Sequence, residues 1–468
     1  MGEEDDQQSP LLKSISSAGA SQEPPKRTGT QWTALAHLIA AVIGAGVLSL
    51  AWSVAQLGWI LGPVCMICFA GIAVVSTFLL CDCYRYPDPE YGTTRNRSFM
   101  EAVKLYLGEK QQRICGVFAQ EVLYGTGIAY TITAAASVRA ILRSNCYHRG
   151  GYNAPSQYGD SFHMLLFGVV EILLSQIPDF HSIGWLSVIA AAMSFSYAFI
   201  GSGLSFLKVI ENGTVKGTIT GVPARSNLEK LWLAFEALAD VAFACPFTII
   251  VLEIQDTLKS PPPENQTMKA ASLKGIVITT FFYLCCGCFG YAAFGDSTPG
   301  NLLTGFESFE PYWLVDLANA CIVLHLVGAY QIFSQPVFAT AERWFAFRFP
   351  DSGFLNNYIS FKIPLFRTFQ LNPFRVVFRT TYVVSTTALA MSFPYFNSVL
   401  GVLGALNFWP LAAYFPVEMY LKQKKIRAWS REWICYRTYS CLCLLVTLVG
   451  LIGSLEELVG ARLDEKIM

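Results

Sequence analysis

The chain has 468 residues, of which 53% are hydrophobic and 14% charged, and its formal net charge is zero. Soluble domains carry roughly 25% charged residues, so the composition argues against a soluble protein, and the balanced charge offers no basic field for nucleic acid. The fourteen cysteines lie mostly in apolar runs without a second ligand pair at zinc spacing, so no metal site and no cofactor are predicted.

The N-terminal residues 1–30 are polar and contain no apolar segment, so we expect a disordered cytoplasmic tail and not a signal peptide. From Thr28 to Cys81 there is no Asp, Glu, Lys or Arg. One span needs about 20 apolar residues. This stretch is therefore long enough for two membrane spans, which we expect to meet at a turn formed by Gly58, Gly62 and Pro63.

Apolar runs between charged or turn-rich segments predict an all-α membrane protein with about eleven transmembrane helices. They are expected at 32–57, 59–81, 114–138, 162–177, 184–207, 231–254, 272–294, 311–338, 376–393, 398–420 and 436–457. We expect residues 31–420 to form a ten-helix core. Residues 421–468 would then supply a basic cytoplasmic loop, the eleventh helix and a short outer tail.

The distribution of lysine and arginine predicts the orientation. With a cytoplasmic N-terminus, 24 of these residues fall in cytoplasmic segments and 9 in outer segments. Cytoplasmic loops carry the excess of basic residues in membrane proteins. The C-terminus is therefore expected outside the cell.

Two predicted spans carry helix-breaking residues near mid-membrane. Gly44 and Gly46 interrupt the first span and Pro246 interrupts the sixth. The breaks are five helices apart, which predicts an inverted repeat of residues 31–207 and 231–420, and paired broken helices are typical of transporter binding sites. The alternative is that the glycines only permit close helix packing and the proline only kinks its helix.

The predicted site suits a zwitterion. Free N–H groups near Gly46 and Val47 favour a carboxylate, whereas bare carbonyls near Ile43 and Ala244 favour an ammonium group or a cation. A small amino acid satisfies both. The predicted substrate-binding residues are Ile43, Gly44, Ala45, Gly46, Val47, Ala244, Cys245 and Pro246.

Ionisable residues within spans are functional candidates because their burial in lipid is costly. We predict that His37, Asp240 and Glu121 take part in ion coupling. The alternatives are a hydrogen-bonded interior imidazole for His37 and a helix-end carboxylate for Asp240. A co-transported proton gains about 2.3 kcal/mol per 100 mV, although the residues alone leave proton and Na⁺ open.

Four long segments resemble the plant amino acid permease family, within the amino acid/auxin permease group. They are GTQWTALAHLIAAVIGAGVLSLAWSVAQLGWILGP (29–63), EIQDTLKSPPPENQTM (253–268), NACIVLHLVGAYQIFSQ (319–335) and FWPLAAYFPVEMY (408–420). The resemblance implies proton-coupled amino acid uptake at the plasma membrane and a LeuT-like fold of ten core spans plus one. It also implies roles for His37 and Asp240 in coupling and substrate binding.

The chain departs from the family pattern at Ala239, Cys245 and Glu121, which leaves the preferred amino acid open. Two rival functions remain: a carrier of another carboxylate, such as an indole-type hormone, and a transporter-like amino acid sensor. No nucleophile–base motif indicates an enzyme. The oligomeric state is not predicted.

Overall fold

The computed structural model describes residues 27–150, 159–177, 184–245, 248–361 and 369–467. Most of these residues are helical. The α-helices are α1 (Gln31–Val42), α2 (Leu50–Asp82), α3 (Phe99–Leu107), α4 (Glu109–Gly150), α5 (Asp160–Ser175), α6 (Gly184–Asn212), α7 (Asn227–Phe243), α8 (Thr248–Asp256), α9 (Glu264–Phe294), α10 (Tyr312–Arg348), α11 (Gly353–Asn356), α12 (Pro373–Ser392), α13 (Phe396–Asn407), α14 (Phe415–Gln423) and α15 (Arg431–Ile467).

Short irregular helices and two hairpins complete the described fold. The 3₁₀ helices are Ala45–Leu48, Gly295–Ser297 and Leu302–Phe306, and a π-helix covers Phe408–Tyr414. The antiparallel hairpins pair β1 (Arg85–Tyr86) with β2 (Thr94–Arg95), and β3 (Ile359–Phe361) with β4 (Phe369–Leu371). The strands are too short to contribute a sheet to the core.

The predicted turn between the first two spans is a single kinked residue within α2. Gly58 has φ 83° and ψ 176°, a conformation that a residue with a side chain rarely adopts. A methyl group there would also lie 2.6 Å from the backbone nitrogen of Gly221. Gly62 and Pro63, expected in the turn, lie within the helix.

Seven helical stretches in the described part of the chain are long and apolar enough to cross a membrane. The stretch from Leu50 to Asp82 alone contains the end of the first predicted span and the whole second span. α1 and α5 have 12 and 16 residues, below the length of about 20 that an unassisted span needs. The count of eleven spans therefore stays a prediction.

The helices that surround the breaks pack closely. α9 lies along α2, where a methyl group on Gly290 would lie 2.5 Å from the Cβ of Ala51. α10 lies along α4, and α15 packs against α7 and α13. Small residues allow such close approach in membrane proteins, where hydrophobic burial does not drive helix association.

The predicted tenth span is not one regular helix. α13 leads into the π-helix, which leads into α14. The backbone nitrogen of Trp409 donates to Thr447 Oγ1 at 3.1 Å, and its indole nitrogen donates to Ser440 Oγ at 3.0 Å, so α15 supports this segment. π-Helical turns frequently occur at functional sites.

Candidate substrate-binding site

The first break lies between α1 and the 3₁₀ helix. α1 ends at Val42, Ile43 leaves the helical region with ψ 89°, and Gly44 is extended. The 3₁₀ helix then begins at Ala45, so the N–H groups of Ala45 and Gly46 lack an intrahelical acceptor. They have no hydrogen-bond partner among the described residues.

The second break lies directly against the first. α7 ends at Phe243, and Ala244 and Cys245 are not helical before α8 begins at Thr248. A methyl group on Gly46 would lie 3.1 Å from the Cα of Ala244. Because the two interruptions touch, their backbone groups face a common space.

A cavity of about 100 Å³ occupies that space. Four kinds of group line it: the backbone of the breaks, aromatic rings, aliphatic side chains and small polar side chains. They are Ala41, Val42, Gly44, Ala45, Gly46, Val122, Thr126, Tyr130, Ala242, Phe243, Ala244, Cys245, Thr248, Ile249, Phe333, Leu403, Gly404, Asn407, Phe408, Leu411 and Ala412.

Five of the eight predicted substrate-binding residues line the cavity: Gly44, Ala45, Gly46, Ala244 and Cys245. Ile43 and Val47 do not line it, and their side chains are buried in the surrounding packing. Pro246 lies outside the described residues.

The carbonyls at the breaks are not bare, contrary to the sequence-based expectation. The Tyr283 hydroxyl lies 2.9 Å from Val42 O and 2.8 Å from Ala244 O, and the Tyr197 hydroxyl lies 3.5 Å from Ile43 O. A hydroxyl has one proton, so Tyr283 donates to one carbonyl at a time, and each carbonyl oxygen has two acceptor positions. The carbonyls therefore keep capacity for a further donor.

Tyr130 is a cavity residue that the sequence did not single out. It lies on α4, and its hydroxyl is 3.9 Å from the position of a methyl group on Gly44. Its ring packs edge-on against Phe333 with centroids 5.8 Å apart. The sequence alone does not mark Tyr130 as a cavity residue, because aromatic residues are common throughout membrane helices.

The chain matches the family described as transmembrane amino acid transporter protein over residues 27–459. The chain belongs to this family. It is 59% identical to "Probable amino acid permease 7" of Arabidopsis thaliana, covering 93% of this chain and 94% of the relative. It is 51% identical to "Amino acid permease 4" of the same plant, covering 94% and 95%. The predicted membership of the plant amino acid permeases is confirmed, and this is a family of transporters and not of enzymes.

Solved structures with the same fold support the predicted fold class of this transporter. Mhp1 in an inward-facing conformation has a TM-score of 0.56 at 13% identity, covering 95% of this chain and 93% of Mhp1. MhsT in complex with L-phenylalanine has a TM-score of 0.53 at 12% identity, covering 90% and 98%. The all-α, LeuT-like fold is confirmed.

Asp240 lies beside the breaks of this transporter but does not line the cavity. Its side chain is fully buried on α7, one turn before Ala244, and neither carboxylate oxygen has a hydrogen-bond partner among the described residues. The Ser53 hydroxyl of α2 lies beside it but donates its proton to Ser49 O at 3.2 Å. Glu236 is buried one turn earlier, beside Ser398.

His37 and Glu121 lie in different surroundings. His37 is on the exposed side of α1, together with Thr33 and Ala36, and does not line the cavity. Glu121 is half-buried on α4 and accepts a hydrogen bond from Asn407, which does line the cavity. The structure thus does not bring the three predicted coupling residues together. Among the described residues, no group of three His, Cys, Asp or Glu side chains could hold a metal ion.

Proposed function

We propose that this transporter imports amino acids across the plasma membrane by proton symport, with the substrate held between the two broken helices. The observation that carries the proposal is one cavity lined by both breaks. Irregular backbone at membrane depth is tolerated only where it is buried in protein or lines a cavity. A cavity at paired breaks therefore has the position expected of a transporter substrate site.

The backbone groups fit the two charges of an amino acid. The free N–H groups of Ala45 and Gly46 can donate to the carboxylate, and the Tyr130 hydroxyl is a further donor near Gly44. The Ala244 carbonyl, which keeps one acceptor position beside Tyr283, can accept from the ammonium group. The substrate would thus supply the hydrogen-bond partners that the backbone groups of the broken helices lack.

Asp240 is the best candidate for the coupled proton. A fully buried carboxylate without a donor is unfavourable when ionised, so this group is expected to take a proton from the wet side of the membrane. It is one turn from the second break, so protonation would act close to the substrate. His37 is a candidate because it is an ionisable residue on the first broken helix and because the family resemblance implies a role for it. Glu121 is a further candidate beside the cavity.

In the proposed orientation, the N-terminus lies in the cytoplasm and the C-terminus lies outside the cell. It is supported by 24 of 33 basic residues falling on the cytoplasmic side. Plasma-membrane residence is proposed from the similarity to the plant amino acid permeases.

The test is electrophysiology in a heterologous cell, with the twenty amino acids scanned at two external pH values. We expect inward currents that grow as the external pH falls and persist when Na⁺ is replaced. Asp240→Asn should abolish the coupled current while surface expression persists. Asp351→Asn, a matched change at an exposed position, should behave as wild type.

Wild-type currents from Asp240→Asn would remove Asp240 from the mechanism. Currents that need Na⁺ would replace proton symport with sodium symport. Competition with an indole carboxylate tests the rival substrate class, since such a compound should not displace the amino acid.

A further inference from the structure

We propose that Asn407 and Glu121 form a subsite that binds the side chain of the substrate. This subsite selects amino acids whose side chain ends in an N–H donor, which is either an amide or an ammonium group. The inference rests on the proposed function, because it assumes that an amino acid occupies the cavity. The inference specifies which class of amino acid is preferred. The helix breaks cannot determine this preference, because they contact only the α-carboxylate and the α-ammonium group, which every amino acid carries.

The orientation of the Asn407 amide is fixed by its neighbours. Asn407 ends α13 and is 7% exposed. Its Nδ2 donates to Glu121 Oε2 and to Leu403 O, the latter at 3.1 Å. Both partners are acceptors, so only the NH₂ end of the amide can face them. The carbonyl end must therefore point elsewhere.

The carbonyl oxygen of Asn407 is the unused polar atom of this arrangement. Its Oδ1 is buried and has no hydrogen-bond partner among the described residues, although the residue lines the cavity. A buried acceptor without a partner is unfavourable. A donor on the ligand would relieve this cost, whereas an apolar side chain would not.

Glu121 adds negative charge to the same end of the cavity. It directly precedes Val122, which lines the cavity, and Thr126 lines it one turn further along α4. Among the described residues, Glu121 forms no ion pair with a lysine or arginine. An uncompensated carboxylate behind the Asn407 amide favours a cationic side chain over a neutral one.

The subsite is separate from the groups assigned to the α-carboxylate and the α-ammonium. Asn407 lies at the junction of α13 and the π-helix, whereas Gly44, Gly46 and Ala244 belong to the breaks. Phe408 and Leu411 of the π-helix continue the cavity wall beside it. The side chain of a substrate anchored at the breaks can thus extend toward Asn407.

The test compares pairs of amino acids of similar size, of which one has an N–H donor at the end of its side chain and the other has none. Apparent affinities are measured for lysine against norleucine and for glutamine against methionine, in uptake by cells expressing the full chain. In wild type we expect each donor substrate to be preferred by about tenfold or more, because a site with a buried acceptor rejects the analogue without a donor. Asn407→Leu should reduce both preferences at least tenfold.

Changes at Glu121 separate charge from hydrogen bonding. Glu121→Gln keeps an acceptor for Asn407 Nδ2 but removes the charge, so the lysine preference should fall while the glutamine preference persists. The double variant Glu121→Gln/Asn407→Asp moves the carboxylate to the cavity wall and should restore the lysine preference. This variant also keeps the test valid if Asn407→Leu does not fold.

Two outcomes would overturn the subsite: equal affinities for the paired substrates in wild type, or unchanged preferences in Asn407→Leu together with a lysine preference in the double variant no higher than in Glu121→Gln. Failure of the proposed function is distinguishable, since then no amino acid in the scan would be carried. Loss of pH dependence for every substrate in Glu121→Gln, with the paired preferences unchanged, would make Glu121 a coupling group instead.

Discussion

At the scale of single residues, the two glycines of the first break differ in the space that surrounds them. A methyl group on Gly44 would meet only the Tyr130 hydroxyl at 3.9 Å, which is ordinary contact across the cavity. A methyl group on Gly46 would lie 3.1 Å from the Cα and 3.3 Å from the Cβ of Ala244. Gly46 is therefore required for the contact between the breaks, and Gly44 leaves space in the cavity.

We predict that Gly46→Ala impairs transport and stability together. Forcing a methyl group against the backbone of Ala244 costs about 1–3 kcal/mol, because packed backbone has little room to move. The thermal midpoint in detergent and the uptake rate at saturating substrate should both fall. Gly71→Ala on α2 is the matched control, since a methyl group there meets nothing within 4 Å. An unaltered midpoint and rate in Gly46→Ala would show that the breaks can separate freely.

At the scale of elements, hydroxyl groups from neighbouring helices hold the broken ends together. α9 supplies Tyr283 to carbonyls of both breaks, and α6 supplies Tyr197 to the first. A helix end in lipid without such donors would carry unsatisfied carbonyls, which is unfavourable. The irregular segments are thus stable because of neighbouring helices and not because of their own sequence.

Tyr283→Phe should therefore weaken the link between the two breaks. Loss of the shared hydroxyl leaves a buried carbonyl without its donor, at a cost of about 1–3 kcal/mol. We expect a lower thermal midpoint and a changed apparent substrate affinity. Tyr91→Phe, at a position 79% exposed, provides the control. If Tyr283→Phe retained the wild-type midpoint and affinity, the hydroxyl would have no role in holding the breaks.

At the scale of the whole molecule, an ion-pair cluster ties the N-terminal segment to the helical bundle. Glu264 at the start of α9 is buried and pairs with Arg27 and with Arg85, the latter at 2.6 Å. This hydrogen bond raises the pKa of the Arg85 guanidinium. Gly29 adds backbone hydrogen bonds to Thr257 and Lys259. One face of the bundle is thus joined across segments more than 200 residues apart in sequence.

We expect Glu264→Gln to destabilise the folded protein by about 2 kcal/mol. That is less than the 3–5 kcal/mol typical of a fully buried pair, because both arginines keep partial contact with water. Thermal unfolding in detergent measures the change. Glu109→Gln, whose ion pair with Lys104 is exposed, should shift the midpoint little. Equal shifts in the two variants would contradict a structural role for the cluster.

The sequence by itself determined the fold class, the family and the positions of both helix breaks. The family follows from the resemblance of four long segments. The membrane class and the breaks follow from local physics, since charge-free stretches indicate membrane spans, and glycine or proline within them indicates a break. The same local reasoning placed Gly44, Gly46 and Ala244 at a common site, because paired breaks in matching spans imply one.

Only the tertiary structure decided which side chains surround the breaks. Tyr130, Tyr283 and Asn407 lie far along the chain from Gly44, and nothing in their local sequence indicates that they meet there. The packing of the helices also removed Ile43 and Val47 from the cavity wall and placed His37 on the exposed side of α1. The physical reason is that periodicity and helix-breaking residues act within a few turns, whereas a cavity is formed by segments brought together through packing.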